Sequence, residues 1–277
     1  MAEIVYLNGD IVPYEEARVG IEDRGYQFAD GIYEVVAVYD NKPIKFEEHF
    51  VRLKKSAEGL EINFDDYDKL KKDAREMIAE SKYNDIKLYI QITRGNASRN
   101  HAYPEDMTPN VVMTVDQLKG KPANYYEKGV KAITVPDERW SRCHIKSIAL
   151  LPNILAKKKA KRAGAYEAIQ IRDGFVTDGT SSNVFIVNDE KIITPPATNY
   201  LLNGITRRVI LEEAKEMGFE VLESSISLYD LHNADEVFLT GTTTEVMPIT
   251  EIDGRTISQG SPGKLTTEIY NRYQDIK

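Results

Sequence analysis

The sequence predicts an α+β protein built as two domains. Helical and strand periodicities follow one another in mixed order, with no regular βα repeat. A polar stretch, "DQLKGKPAN", interrupts that pattern near the middle and contains Gly120 and Pro122. The 277 residues suffice for two domains of ordinary size. The boundaries expected are 1–118 for a small N-terminal domain, 119–124 for the linker, and 125–277 for a larger C-terminal domain.

The elements follow from local pattern. In "EIVYLNGDIV" the Asn8-Gly9 pair between two apolar runs signals a hairpin. "GIYEVVAVY" places Ile32 and Tyr33 on opposite strand faces. Phe46, Phe50, Leu53, Ala57 and Leu60 recur at alternating spacings of four and three, one stripe along a helix that leaves Arg52 off it. Asp66 to Ser81 carries Leu70, Ala74, Met77 and Ile78 on one helical face. "IKLYIQIT" alternates as a half-buried strand and "NVVMTV" reads as another. The second half opens with the strand "VKAITVP" and an apolar strand around Lys146. A helix follows over "NILAKKKAKRAG", with Pro152 in its first turn and Gly164 at its close. Two strand pairs turn at Asp173-Gly174 and at Asn188 to Glu190. A helix from Ile205 to Met217 stops at Gly218; the strand "EVFLTG", a Thr-rich turn and a terminal helix finish the chain.

Composition excludes several classes. With 42% hydrophobic and 29% charged residues the chain has the profile of a soluble globular protein, and no apolar run is long enough for a transmembrane helix. The start lacks a basic leader and an apolar core, so the expected location is the cytoplasm. Cys143 is the single cysteine, which rules out an internal disulfide. A net charge of −8 argues against a nucleic-acid partner, and "KKKAKR" at Lys157 to Arg162 reads as a solvated helix face.

The chemical motifs are few. The four histidines lack metal-ligand spacing, so no metal is expected. Nucleophile-elbow, P-loop and dinucleotide fingerprints are absent. What remains is Lys146, set between Ile145 and, beyond Ser147, the apolar run Ile148 to Leu151. Such a setting disfavours the charged amine and favours a neutral nucleophile able to form a Schiff base; a lysine snorkelling its head into water is the competing reading. Downstream, Asp178 stands in a turn of "VTDGTSSNVF" as an acid for a pyridine nitrogen. "NGITRR" offers the N–H groups of Ile205 and Thr206 at a helix start, and Thr242 and Thr243 end a strand. Each turn alone is ordinary.

In order and spacing the stretches "DRGYQFADGIYEVV", "HFVRL", "ITRGNASRNHAYP", "HIKSIALLPNILAK", "YEAIQIRDGFVTDGTSSNVF", "LLNGITRR" and "TGTTTEVMPI" resemble the D-amino-acid aminotransferases of the fold type IV pyridoxal phosphate enzymes. The resemblance spans nearly the whole chain. It implies two α+β domains, pyridoxal 5′-phosphate in the cleft between them, and a homodimer in which a partner loop completes each site. Lys146 becomes the Schiff-base lysine, Arg52, Ile205, Thr206 and Thr242 hold the phosphate, Leu202 packs on the ring, and Ser181 stands close by. Tyr33, with the partner chain's Arg99 and His101, would bind the substrate α-carboxylate. Asp178 departs from the pattern, which has glutamate there; its carboxylate reaches roughly 1.5 Å less far by carbon-chain geometry.

The implied reaction is a ping-pong transamination between D-alanine or D-glutamate and 2-oxoglutarate or pyruvate. Two relatives of the same fold stay open, a branched-chain L-amino-acid aminotransferase and aminodeoxychorismate lyase. Gly241-Thr242 suits the first of these, whereas Arg99 and His101 suit the D-enzyme. A catalytically idle cofactor-binding protein is the third reading, which Asp178 admits and the intact lysine opposes.

Overall fold

A computed structural model describes residues 4–277; residues 1–3 of the expected N-terminal domain lie outside it. The chain divides into two compact units, Met1–Lys119 with Ile145–Ala149, and Gly120–His144 with Leu150–Lys277.

The first unit contains β1 (Ile4–Leu7), β2 (Asp10–Val12), α1 (Arg24–Phe28), β3 (Gly31–Tyr39), β4 (Lys42–Pro43), α2 (Phe46–Gly59), α3 (Tyr67–Ala79), β5 (Ile86–Thr93) and β6 (Asn110–Gln117). The strands form one antiparallel sheet in the order β2-β1-β6-β5-β3-β4. The first hairpin closes as expected: Leu7 faces Asp10, and Asn8 and Gly9 take the positive φ values, 50° and 115°, that such a turn requires. Ile86, Leu88, Ile90 and Ile92 of β5 are wholly buried, while the residues between them are half-buried. They share one core with Phe50, Leu53 and Ala57 of α2 and Leu70, Ala74 and Met77 of α3.

Residues 145–149 fold with this first unit, so Lys146 does not belong to the C-terminal unit to which the sequence assigned it. Nor is it on a regular strand. The segment is irregular and docks through an isolated bridge between Ile32 and Ser147, with Tyr33 N–H donating to the Lys146 carbonyl at 2.9 Å and Ile148 N–H to the Gly31 carbonyl at 3.0 Å. Ile145, 4% exposed, is the apolar anchor that enters the first unit's core. Gly31 permits the approach, because a Cβ there would stand 2.8 Å from the Ile92 carbonyl oxygen and 3.0 Å from the Ile148 side chain.

The second unit contains α4 (Ala123–Lys128), β7 (Val130–Pro136), α5 (Leu151–Arg162), β8 (Glu167–Arg172), β9 (Phe175–Gly179), β10 (Asn183–Asn188), β11 (Lys191–Thr194), α6 (Ile205–Glu216), β12 (Glu220–Glu223), α7 (Leu228–His232), β13 (Glu236–Gly241), β14 (Glu245–Ile252), β15 (Arg255–Thr256) and α8 (Lys264–Ile276). Its sheet runs β12-β11-β10-β13-β14-β7-β8-β9, with β15 on β14. β11 with β12, β14 with β7 and β7 with β8 are parallel pairs, and the others are antiparallel. β14 lies in the middle of this sheet although Pro248 within it removes a backbone donor, a residue that argues against a central strand when read alone. Between β8 and β9 the register shifts, since Gln170 faces Asp178 and Ile171 faces Val176, which leaves Thr177 as the extra residue of a bulge.

Candidate active site

In the first unit the residues around Lys146 are drawn together by β3 and α2. Lys146 is half-buried, and its Nζ lies 4.3 Å from the centroid of the Tyr33 ring. Its backbone N–H donates to Ser56 Oγ of α2 at 3.2 Å. Tyr33 in turn packs against Tyr89, with ring centroids 5.8 Å apart.

Arg52 lies off the apolar stripe, yet its side chain is only 12% exposed, because it forms a bidentate pair with the wholly buried Glu34. Its Nε donates to Glu34 Oε1 at 2.7 Å and its Nη2 to Oε2 at 2.9 Å, while His49 Nδ1 lies 2.7 Å from Oε2. Burial alone would raise the Glu34 carboxyl, but Arg52 and His49 outweigh it and hold it well below the usual carboxylate range. Burial depresses the His49 imidazole despite the pull of Glu34. Arg52, the expected phosphate ligand, is thus oriented by a carboxylate. Sequence reasoning passed over Glu34 and His49; the signal was a glutamate at a core-face position of an apolar strand.

The loop after β5 brings Arg99 and His101 to one aromatic ring. The Arg99 guanidinium carbon lies 4.6 Å from the Phe28 centroid, and the His101 ring meets Phe28 edge-on with centroids 5.7 Å apart. Both residues are exposed in the single chain.

In the second unit Asp178 lies within β9, one residue before its end, rather than standing in the expected turn, and the bulge at Thr177 sets its direction. It is 5% exposed. Asn183 Nδ2 donates to its Oδ1 at 3.1 Å, whereas Leu202 N–H and Arg139 Nη1 reach its Oδ2 only at 3.4 Å each. Arg139 is engaged elsewhere, since it grips the wholly buried Asp137 side chain through Nε at 2.9 Å and Nη2 at 3.0 Å. Burial therefore pushes Asp178 up to about 7, with Arg139 opposing, while the Arg139 pair holds Asp137 down to about 2 against its own burial. Asn183 also donates to the Leu202 carbonyl at 2.8 Å, and its Oδ1 would meet a Cβ on Gly204 at 2.1 Å. It therefore ties the acid to the turn that enters α6. There Ile205 and Thr206 are buried, and no side chain among the described residues caps the helix. The 179–182 turn, which carries Ser181, is held by the buried Glu167 through Thr180 Oγ1 and, at 3.0 Å, Ser182 Oγ. The Ser181 carbonyl approaches to 3.3 Å of where a Cβ on Gly241 would stand, next to Thr242. Asp137, Arg139, Glu167 and Asn183 escaped sequence reasoning; charged residues directly after a strand in "VPDER" were the available hint.

These side chains fit pyridoxal phosphate. A buried, weakly served carboxylate suits a ring nitrogen that carries a proton, and buried N–H groups at an uncapped helix start suit a phosphate. No group of three or more His, Cys, Asp or Glu arranged to hold a metal ion occurs among the described residues.

Comparison with known proteins agrees with this geometry. The profile of the family "Amino-transferase class IV" matches residues 31–252. The chain is 45% identical over 273 residues to the D-alanine aminotransferase of Bacillus licheniformis, covering 98% of this chain and 96% of that protein. It is 43% identical over 272 residues, 98% and 96% of the two chains, to the D-alanine aminotransferase of Staphylococcus epidermidis. Among solved structures it is similar to the Escherichia coli branched-chain amino acid aminotransferase, with a TM-score of 0.93, 27% identity, and 99% and 94% of the two chains covered. It is also similar to a second branched-chain amino acid aminotransferase, from T.th., solved with pyridoxamine 5′-phosphate, with a TM-score of 0.92, 26% identity and the same coverage. The chain belongs to the class IV aminotransferases and has their fold type IV architecture. It is therefore an enzyme whose cofactor is pyridoxal phosphate.

Asp178 makes the stability of the cofactor-free protein depend on pH. Its folded pKa of about 7 lies above its ordinary 3.8, so between these values the folded state binds the proton and the unfolded state does not. The contribution is fully present below pH 3.8 and is lost as pH rises through about 7, a difference on the order of 4 kcal/mol at about 1.36 kcal/mol per pH unit. Urea unfolding of the cofactor-free protein from pH 5 to 8 is expected to show stability falling as pH rises. Asp178→Asn should lack that component, and parallel slopes for the two proteins would contradict the assignment.

Proposed function

We propose that this enzyme is a D-amino-acid aminotransferase that moves the amino group between D-alanine or D-glutamate and 2-oxoglutarate or pyruvate in a ping-pong cycle. The observation that carries the reading is the 45% identity to a D-alanine aminotransferase, well above the 27% to a branched-chain enzyme of the same architecture. The proposal includes a homodimer in which Arg99 and His101 of one protomer serve the partner's site, and residence in the cytoplasm. No helix among the described residues is long and apolar enough to cross a membrane.

When bound, the cofactor supplies an electron sink for the charge left on the substrate α-carbon. Lys146 Nζ would take the proton from the donor's α-carbon and deliver it to the C4′ carbon of the cofactor, and would run that transfer in reverse with the acceptor. Asp178 holds a proton at the ring nitrogen by a charge-assisted hydrogen bond. The phosphate would be held by Arg52, which Glu34 orients, and by Thr242 and the N–H groups of Ile205 and Thr206, with Leu202 against the ring and Ser181 beside it. Arg99 and His101, close enough to share the Phe28 ring, bind one carboxylate together with the Tyr33 hydroxyl. With the carboxylate anchored and the lysine confined to one face, a single enantiomer can present its α-hydrogen while its side chain enters the remaining space.

Purified protein with D-alanine and 2-oxoglutarate should yield pyruvate and D-glutamate, identified by chiral chromatography. Arg99→Ala should raise KM for all α-amino acids alike, by about 30-fold for the loss of roughly 2 kcal/mol of charge-assisted bonding, and weaken the preference for D. A native preference for L-leucine or L-valine would install the branched-chain reading in its place.

A further inference from the structure

The loop that presents Arg99 and His101 has no regular secondary structure from residue 97 to residue 109. Its conformation is tied instead to one buried arginine. Arg24 opens α1 and is 4% exposed. Its Nε donates to Asp30 Oδ2 at 2.8 Å, which leaves the other arms of the fork directed at two successive loop carbonyls. Nη1 donates to the Asn100 carbonyl at 2.6 Å and Nη2 to the His101 carbonyl at 3.3 Å. The same guanidinium lies over the Phe28 ring, 4.7 Å from its centroid, and over Tyr103 at 5.6 Å. The ring that receives Arg99 and His101 is therefore fixed by the cation that grips the backbone beneath them.

We propose that Arg24, acting through the Asn100 and His101 carbonyls and the Phe28 ring, is the positioning residue that aims Arg99 and His101 at the substrate carboxylate. The inference rests on the carboxylate role proposed for that pair. An arginine is required because its planar fork can serve Asp30 and two neighbouring carbonyls at once, which an ammonium cannot do in the same geometry. Asp30 keeps two bonds from Arg94, Nε at 2.8 Å and Nη2 at 3.0 Å, so no buried carboxylate is left without a cation.

The test compares holoenzyme forms of wild type, Arg24→Met, Arg24→Lys and Arg99→Ala. Both Arg24 variants are expected to raise KM for D-alanine and for 2-oxoglutarate by about ten-fold or more, since misplacement of a positioning group by about 1 Å can cost up to 10²-fold. Cofactor affinity, measured by titrating pyridoxal phosphate into cofactor-free protein, should stay at the wild-type value. Trypsin should cut after Arg99 faster in both Arg24 variants, a readout of loop order that needs no substrate. A double Arg24→Met, Arg99→Ala variant should raise KM above that of Arg99→Ala, because His101 is still misplaced, but by less than the product of the two single effects. Unchanged KM in the Arg24 variants beside a raised KM in Arg99→Ala overturns the inference, as does a KM rise matched by an equal loss of cofactor affinity. Unchanged KM in Arg99→Ala overturns the carboxylate role instead, and with it the aim assigned to Arg24, while the trypsin rate still reports whether Arg24 holds the loop. If Arg24→Met does not fold, Phe28→Leu carries the same comparison, with the same outcomes deciding.

Discussion

Replacing Lys146 with alanine is expected to lower kcat by about 10⁴-fold or more, because the amine is both the nucleophile toward the cofactor aldehyde and the group that moves the α-proton. The expectation rests on position. Lys146 Nζ stands over Tyr33, and its backbone is tied on one side to β3 and on the other to Ser56. No other lysine is held by both elements of the first unit in this way among the bonds described. Borohydride reduction of the wild-type holoenzyme should place the cofactor label on the peptide that contains Lys146, and Lys146→Ala should yield no labelled peptide. A label on any other lysine, at wild-type yield in Lys146→Ala, would transfer the role. The fold should survive, since Ile145 rather than Lys146 anchors the segment in the core.

The second large effect is expected at Asp178. Asp178→Asn should lower kcat by about 10²- to 10³-fold, the range for removing one preorganised electrostatic partner from developing charge. An amide cannot hold the proton at the ring nitrogen as a carboxylate does. Asp178→Glu should retain function or improve it. The added methylene restores the family's reach, at a packing cost of about 1 to 3 kcal/mol if Arg139 and Asn183 do not yield. Single-turnover measurements of the half-reaction with D-alanine separate this loss from substrate binding. An Asp178→Asn enzyme with wild-type rates would reduce the residue to a strand-end hydrogen-bond acceptor.

Much of the architecture was readable because it depends on local rules. The stripe from Phe46 and the alternation through Ile92 require only that apolar side chains leave water at helical or strand period, and both lie where the pattern put them. The turns at Asn8-Gly9 and Asp173-Gly174 are single-residue conformational preferences, expressed as positive φ. The Lys146 segment was misread for the complementary reason. Its apolar neighbours signal burial, but burial in an irregular stretch that pairs through one bridge looks in sequence like a strand. β14 was missed because Pro248 masks a strand whose neighbours are supplied by β13 and by the distant β7.

By itself, then, the sequence determined the reactive residue types, their order along the chain, and many of the regular elements around them, since each depends on side-chain chemistry and on neighbours a few positions away. Only the tertiary structure decided what each charge meets. Glu34 lies 18 residues from Arg52, Arg139 lies 39 from Asp178, and Arg24 lies 76 from Asn100, separations at which no periodicity speaks. Whether a carboxylate is held down, as Asp137 is, or pushed up, as Asp178 is, depends on how deeply it is buried and on how many donors reach it, Arg139, Arg172 and Thr177 for Asp137 against longer contacts from Arg139 and Leu202 for Asp178. In a dry interior such differences set the electrostatics, because little water remains to screen them.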